Sequence, residues 1–172
     1  MPLGYGGGIR DMDDVRQLLS IGVEKFVLNT SAVENPSLVR AAADHAGSQA
    51  VVISIDVKKT LFGKYEVFTR AGKKGTGLDP VKFAVDMEKQ GAGEIFINSI
   101  DRDGTMQGYD LDLITRVSAA VTVPVVACGG AGNVQHLAEA VKAGASAAAA
   151  GSMFVFQGPL RGVLISYPTQ EE

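Results

Sequence analysis

Short apolar segments alternate with amphipathic segments along the chain. The apolar segments are predicted to be strands, and the amphipathic segments, with apolar residues every three to four positions, are predicted to be helices. The predicted strands are Pro2–Tyr5, Lys25–Leu28, Ala50–Ile55, Glu94–Asn98, Val123–Cys128 and Ala147–Ala150, and the predicted helices are Met12–Ile21, Ser37–Ala46, Pro80–Gln90, Leu111–Ala119 and Val134–Ala143. This alternation indicates a parallel sheet covered by helices, either open or closed into a barrel.

Helix-ending and helix-starting residues support these boundaries. Asp79-Pro80 places a capping residue before a proline that suits the first turn of a helix. Glycines are common immediately after helices because they adopt the left-handed backbone conformation found there. The glycines at predicted helix ends are Gly22, Gly47, Gly91 and Gly144.

An internal repeat favours the barrel. Each repeat consists of a strand, a glycine turn, a helix and a second strand that ends in a small polar pair. At a constant offset Gly7-Gly8 matches Gly129-Gly130, Gly22 matches Gly144, and Asn29-Thr30 matches Gly151-Ser152. We therefore predict a single domain over residues 1–172, with half-barrel repeats at 1–33 and 128–154.

The repeated glycine turns also indicate a ligand. Such turns expose backbone N–H groups, and a hydroxyl at a neighbouring strand end adds a further donor, which is how proteins hold phosphate. Two symmetry-related units predict a ligand with two phosphates. The alternative is that each glycine pair serves only a tight turn or close packing.

Composition excludes several classes of function. The single cysteine, Cys128, rules out an intrachain disulfide and a cysteine-rich zinc site, and His45 and His136 are too far apart for metal-ligand spacing. The formal net charge is −3, without the clusters of Lys and Arg that bind nucleic acid. No run reaches the roughly 18 apolar residues of a membrane span. We expect a cytoplasmic protein that binds neither nucleic acid nor membrane.

Polar residues at strand ends are the candidates for chemistry. Asp56 follows an apolar strand, a position that suits proton transfer at a barrel rim, although a helix cap or a salt bridge to Lys58 or Lys59 would explain it equally well. The segment 101–104 is either a turn or a polar binding site, and the basic segment 73–77 is a loop that either closes over an anion or is merely solvated. Cys128 is read as a buried wall residue.

Several motifs together resemble one family, the cyclase subunit of imidazole glycerol phosphate synthase. The resemblance covers nearly the whole chain, in order. The motifs are Tyr5–Arg10, Asn29–Pro36, Ser54–Asp56, Ser99–Thr105 and Gly129–Gly132. The family is a TIM-type (β/α)8 barrel of histidine biosynthesis.

The resemblance implies an activity. The family uses ammonia from a glutaminase (amidotransferase) partner to cleave and cyclise a bisphosphorylated ribulosyl–aminoimidazole carboxamide nucleotide. The products are imidazole glycerol phosphate and an aminoimidazole carboxamide ribotide. Proton transfer and positioning carry this reaction, so no metal or organic cofactor is expected.

The resemblance also implies site residues. Asp56 matches one half of the family's acid–base pair. A first cluster, Gly8, Asn29 and Thr30, matches one phosphate site, and a second cluster, Asp103, Gly104, Gly130, Gly151 and Ser152, matches the region of the other. Further rim positions are Asn98, Asp101 and Cys128; Asn98 stands where the family often has threonine, and Cys128 where it often has serine.

The chain departs from the family in two respects. It begins at what resembles the third strand, so the first two βα units and the aspartate that partners Asp56 are absent. We therefore expect a partial barrel of about six βα units that associates with itself through exposed edges. We also expect the isolated chain to lack cyclase turnover.

The second departure concerns two segments, Phe154–Pro168 and Lys58–Tyr65. They resemble a paralogous branch, which works with an amidotransferase to amidate sugars of surface polysaccharides. That branch and a non-catalytic, phosphate-binding partial barrel are the alternatives to the cyclase.

Overall fold

A computed structural model describes residues 3–61, 63–158 and 160–167 of the chain. The strands are β1 (Gly4–Gly6), β2 (Lys25–Leu28), β3 (Val51–Lys59), β4 (Tyr65–Thr69), β5 (Lys74–Gly75), β6 (Glu94–Ser99), β7 (Val125–Cys128), β8 (Ala147–Ala148), β9 (Phe156–Gln157) and β10 (Gly162–Val163). The helices are α1 (Met12–Ser20), α2 (Thr30–Glu34), α3 (Pro36–Ala46), α4 (Pro80–Lys89), α5 (Leu111–Ser118), α6 (Val134–Lys142) and α7 (Ser152–Val155), with a 3-10 turn at Ser48–Ala50.

The main sheet is a parallel half-barrel. Its strands lie in the order β1-β2-β3-β6-β7-β8, and every neighbouring pair along this path is parallel. Each of these strands is followed by at least one helix, so the described residues contain six βα units. The predicted fold class, a partial TIM-type barrel, is confirmed.

The two faces of the sheet differ in burial. The side chains of β3 that face the helices, such as Ile53 and Ile55, are fully buried, and Ile95 and Ile97 of β6 are buried beside them. Alternate residues face the concave side, and those towards the carboxyl ends of the strands, such as Ser54, Asp56 and Asn98, are only half-buried. Because side chains alternate along a strand, the helix layer holds the core and the concave face stays open to ligands.

An antiparallel excursion interrupts the alternation of strands and helices. β3 continues to Lys59, beyond its predicted end at Ile55, and its last residues pair with β4, from Asp56 with Phe68 to Lys59 with Tyr65. β4 then pairs with β5. The interpretation of residues 73–77 as a loop is therefore wrong for Lys74 and Gly75, which form β5.

Other predicted boundaries shift by a few residues. The first strand lies at Gly4–Gly6 rather than at the predicted Pro2–Tyr5, and Pro2 is outside the described residues. β7 and β8 are shorter than predicted, and helix α2 was not predicted at all. Of the two segments that resemble the paralogous branch, Phe62, Pro159 and Pro168 are also outside the described residues.

The predicted caps are confirmed. Asp79 precedes α4 and its Oδ1 accepts a hydrogen bond of 2.9 Å from the Lys82 backbone N–H. The glycines at predicted helix ends all have positive φ, a conformation that costs other residues about 1 kcal/mol or more. Their φ angles are 87° at Gly22, 85° at Gly47, 102° at Gly91 and 108° at Gly144.

Candidate functional site

Three candidate residues form a row across the centre of the half-barrel. Asp56 of β3 lies beside Asn98 of β6, and Asn98 lies beside Cys128 of β7. All three are half-buried and face the concave side, near the carboxyl ends of their strands. That is the end of a parallel barrel where active sites are found. We call Asp56, Asn98 and Cys128 the central row.

Asn98 orients the carboxylate of Asp56. Its Nδ2 donates a hydrogen bond of 3.0 Å to Asp56 Oδ1. Its Oδ1 is buried and accepts no hydrogen bond from the described residues. A buried acceptor without a donor is energetically costly. The hydrogen bond to Asp56 therefore holds the Asn98 amide in an orientation that leaves an unsatisfied acceptor at the rim.

The lysines that offered an alternative explanation for Asp56 lie elsewhere. Lys58 Nζ donates to the carbonyl of Gly72 at 3.0 Å, and Lys59 Nζ lies 3.5 Å from Asp110 Oδ2. Neither ion-pairs with Asp56.

Cys128 is a protonated thiol at neutral pH. Burial is the main cause that raises its pKa to about 11, and the charges of Asp103 and Asp56 act in the same direction. Because the thiolate is the nucleophilic form, the position is unsuited to covalent catalysis near pH 7.

The first cluster shares a pocket with Asp56. Gly8, Asn29 and Thr30 line an open cleft of about 680 Å³ together with Asp56 and the arginines Arg10 and Arg70. Asn29 Nδ2 donates to the Ser54 carbonyl at 3.0 Å, which ties the end of β2 to β3. The backbone N–H groups of Gly8 and Thr30 donate to no group within the described residues.

Arg70 reaches the first cluster from the turn between β4 and β5. Its backbone N–H donates to Thr30 Oγ1 at 3.2 Å, and its guanidinium lies 3.1 Å from Glu34. Its φ of 55° is left-handed, which is uncommon for a residue other than glycine. Sequence reasoning missed Arg70 because the turn that delivers it depends on the pairing of β4 with β3.

The second cluster lies on the other side of the central row. Asp103, Gly104, Gly130, Gly151 and Ser152 line one small pocket, of about 10 Å³, together with Cys128. The N–H groups of Gly104, Gly130 and Gly151 donate to no acceptor in the described part of the chain. The pocket thus gathers unpaired backbone donors of the kind that bind phosphate, but its free volume is about that of one water, so a phosphate would lie at its mouth.

Asp101 belongs to neither pocket. Its Oδ2 accepts a hydrogen bond of 2.8 Å from the Lys59 backbone N–H, and this contact ties the loop after β6 to the end of β3. The structure therefore separates Asp101 from the other candidates and gives it a structural partner.

Within the described ranges, the chain has neither a membrane-spanning helix nor a cluster of metal ligands. No helix there is long and apolar enough to cross a membrane. No three His, Cys, Asp or Glu side chains come together there as metal ligands would.

A parallel half-barrel with a polar row at its carboxyl rim defines an α/β protein of the TIM-barrel class. The sequence profile of the family described as "Histidine biosynthesis protein" matches residues 1–160. A Leptospira interrogans protein described as "Putative imidazole glycerol phosphate synthase subunit HisF" is 44% identical over 174 residues, which span 100% of this chain and 68% of that protein. The chain belongs to the histidine biosynthesis protein family, and the resemblance predicted from its motifs is confirmed.

Proposed function

We propose that the chain carries the ammonia-dependent cyclase and lyase chemistry of histidine biosynthesis in an associated state, and that the isolated chain is inactive. Its substrate is the bisphosphorylated ribulosyl–aminoimidazole carboxamide nucleotide, and its products are imidazole glycerol phosphate and aminoimidazole carboxamide ribotide. One observation carries this proposal: Asp56 lies in a central row flanked on each side by a cluster of unpaired backbone donors. A substrate with a phosphate at each end would place its middle over Asp56.

Asp56 is the proposed general acid–base. Asn98 holds Oδ1 by a hydrogen bond, while Oδ2 accepts none from the described residues and is free to exchange a proton with substrate. A positioned carboxylate of this kind contributes about 10²- to 10⁴-fold to a rate. Neither the acid–base steps nor the positioning requires a cofactor.

The two clusters are the proposed phosphate sites. In the first, the N–H groups of Gly8 and Thr30 and the side chain of Asn29 face a cleft that also contains Arg70. In the second, Gly104, Gly130 and Gly151, whose N–H groups have no partner among the described residues, line one pocket together with Ser152 and Asp103. The match between the two glycine turns remains a prediction from the sequence, and each turn does follow a strand of the same sheet.

A glutaminase subunit is the proposed source of ammonia. The description of the Leptospira interrogans relative as a subunit supports a partner. We place its docking surface at the amino ends of the strands, opposite the central row. There Lys25 Nζ and Glu94 Oε2 pair at 2.6 Å across the concave face.

Self-association through the sheet edges is part of the same proposal. β1 and β8 end the strand order of the described residues. Near β1 the side chains of Leu3, Tyr5 and Ile21 are exposed. Unpaired strand edges with apolar neighbours favour association with another chain.

The test is ammonia-driven turnover of the bisphosphate nucleotide, with molar mass measured by light scattering on the same sample. Asp56→Asn is expected to lower any turnover by about 10²- to 10⁴-fold and to change nucleotide affinity less than about twofold. Asp44→Asn, an exposed change on α3, is the matched control. Turnover by Asp56→Asn equal to that of the control would disprove the role of Asp56.

The amidation branch is the second candidate, and the β9–β10 hairpin favours it. This hairpin lies within the segment that resembles that branch, and Arg161 in its turn contacts Gly104 of the second cluster. A species that binds the bisphosphate but shows no turnover in any state of association would support this candidate or a non-catalytic phosphate-binding barrel. Amide formation on a phosphorylated sugar in the presence of ammonia would then separate the two.

A further inference from the structure

The second cluster lacks a cation of its own. In the described part of the chain, the residues that line it include no Lys, Arg or His, and its one charged side chain is Asp103. A phosphate there would lie beside a carboxylate, and like charges at short range are unfavourable. The first cluster differs, because Arg10 and Arg70 line its pocket.

The hairpin of β9 and β10 brings an arginine to this place. Arg161 lies in the turn of the hairpin, and its guanidinium donates a hydrogen bond to the carbonyl of Gly104. Gly104 itself lines the second cluster. The positive charge of Arg161 therefore lies beside the loop that contains Asp103 and the unpaired N–H of Gly104.

Several contacts hold Arg161 in this position. Its backbone N–H donates to the Gly158 carbonyl at 3.0 Å, and its guanidinium lies 5.3 Å from the centre of the Phe156 ring. The hairpin is tied to α7 by hydrogen bonds from the N–H of Leu164 to Val155 and from the N–H of Ser166 to Phe154. The turn is thus braced on the segment that directly follows Ser152.

The backbone of Arg161 has the same unusual conformation as that of Arg70. The φ angles are 50° at Arg161 and 55° at Arg70, both left-handed. Arginines have no intrinsic preference for this conformation, and it persists only where the surrounding structure imposes it. In each case a hairpin turn delivers one arginine to one cluster of unpaired backbone donors.

We propose that Arg161 binds the phosphate at the second cluster and selects ligands that carry a phosphate at that end. This inference rests on the proposed phosphate sites and adds a specificity-determining residue to them. The guanidinium has five N–H donors, and the contact with Gly104 leaves others for a phosphate oxygen. Its charge also offsets that of Asp103.

The experiment measures binding of the bisphosphorylated ribulosyl nucleotide to the full chain by titration calorimetry. Arg161→Gln is expected to weaken binding about fivefold to tenfold. Arg161→Lys is expected to recover part of this loss, because lysine keeps the positive charge but cannot donate the paired hydrogen bonds of a guanidinium. The difference between wild type and Arg161→Gln should shrink as salt is raised. Arg40→Gln is the matched control, since Arg40 also donates to a backbone carbonyl, that of Lys89, far from the rim.

A thermal melt of each variant without ligand separates binding from folding. If Arg161→Gln lowers the melting temperature, the affinity of Arg161→Lys is used to judge the effect on binding, because lysine retains the aliphatic part of the side chain over Phe156. Wild-type affinity in both Arg161 variants would overturn this inference and leave the proposed function standing. Failure of the wild type to bind the nucleotide would overturn the proposed function and this inference with it.

Discussion

The two glycine turns that match in sequence are built into very different surroundings. Gly7 and Gly8 are exposed, and a Cβ on either would meet no atom within 4 Å. Gly129 and Gly130 are buried, and a Cβ on them would approach the carbonyls of Ser99 and Gly108 at 2.5 and 2.2 Å. The same residue pair therefore serves an open turn in the first cluster and a close backbone packing in the second.

The packing of the second turn follows from the loop after β6. The N–H of Gly108 donates to the Gly130 carbonyl at 2.8 Å, and a Cβ on Gly132 would approach the Met106 carbonyl at 2.2 Å. Such contacts admit only glycine. The repeat thus preserves the backbone conformation of the turn. In the first turn glycine is required only for its positive φ, whereas in the second it is also required because neighbouring backbone leaves no room for a Cβ.

Alanine substitutions give the largest expected contrast. Gly130→Ala is expected to lower the free energy of unfolding by about 3 kcal/mol or more, because backbone atoms must move. Gly8→Ala is expected to cost about 1 kcal/mol, for its φ of 78° alone. Urea denaturation of both variants measures the difference, and equal losses would show that the two turns are equivalent after all.

The pH dependence of stability tests how far water is excluded from the Cys128 thiol, which lines the pocket of the second cluster. The pKa of Cys128 is raised from 9.0 to about 11 in the folded protein, so the unfolded chain loses this proton first. Stability from this group is complete below about pH 9 and is lost as pH rises towards 11. Between pH 8 and pH 10 the wild type should lose about 1 kcal/mol more than Cys128→Ala. Parallel pH profiles would mean that solvent reaches the thiol.

Tyr109 is a second buried group whose pKa is raised, and it must be separated from Cys128 in the pH profile. Burial raises its pKa to about 12, which acts in the same direction at higher pH. The charge of a Cys128 thiolate also raises this pKa, so the comparison is confined to pH 8–10, where burial keeps Tyr109 protonated in the folded form of both proteins and its contribution cancels.

The two hydroxyls give the smallest contrast. Thr30 Oγ1 accepts the hydrogen bond from the Arg70 backbone, whereas Ser152 Oγ has no hydrogen bond to the described residues. Without ligand, Thr30→Val should lower stability by about 0.5–1 kcal/mol and Ser152→Ala by less than about 0.5 kcal/mol. Chemical denaturation in phosphate-free buffer checks both values. A larger loss for Ser152→Ala would indicate that its hydroxyl is structural.

Features that depend on neighbouring residues in the chain could be predicted from the sequence. The apolar run before Asp56 predicts a strand there, although β3 continues past Asp56 to Lys59, and the left-handed glycines at 22 and 144 end their helices as expected. The parallel order of β1, β2, β3, β6, β7 and β8 follows because a helix lies between each of these strands and the next one along that path. These local signals are enough to predict the half-barrel and to place Asp56 on it, while the role of Asp56 stays a prediction.

Features that depend on distant residues could not be predicted in the same way. The pairing of β4 with β3 joins Phe68 to Asp56. The strand-forming residues at 65–69 are typical of a strand, but their composition does not show which strand they pair with. The contacts of Arg70 with Thr30 and of Arg161 with Gly104 span 40 and 57 positions. Only the folded chain shows that each arginine belongs to a cluster.

The order of strands also sets how firmly each part of the site is held. The central row stands on β3, β6 and β7, which are flanked by other strands on both sides, whereas the turn with Gly8 follows β1, whose three residues are all exposed. Edge strands open locally at a lower free energy than central ones, so amide hydrogens there exchange sooner. A ligand bridging both clusters would connect the edge strands of the sheet to its central strands. The free energy needed to order the edge strands would then be part of the free energy of binding.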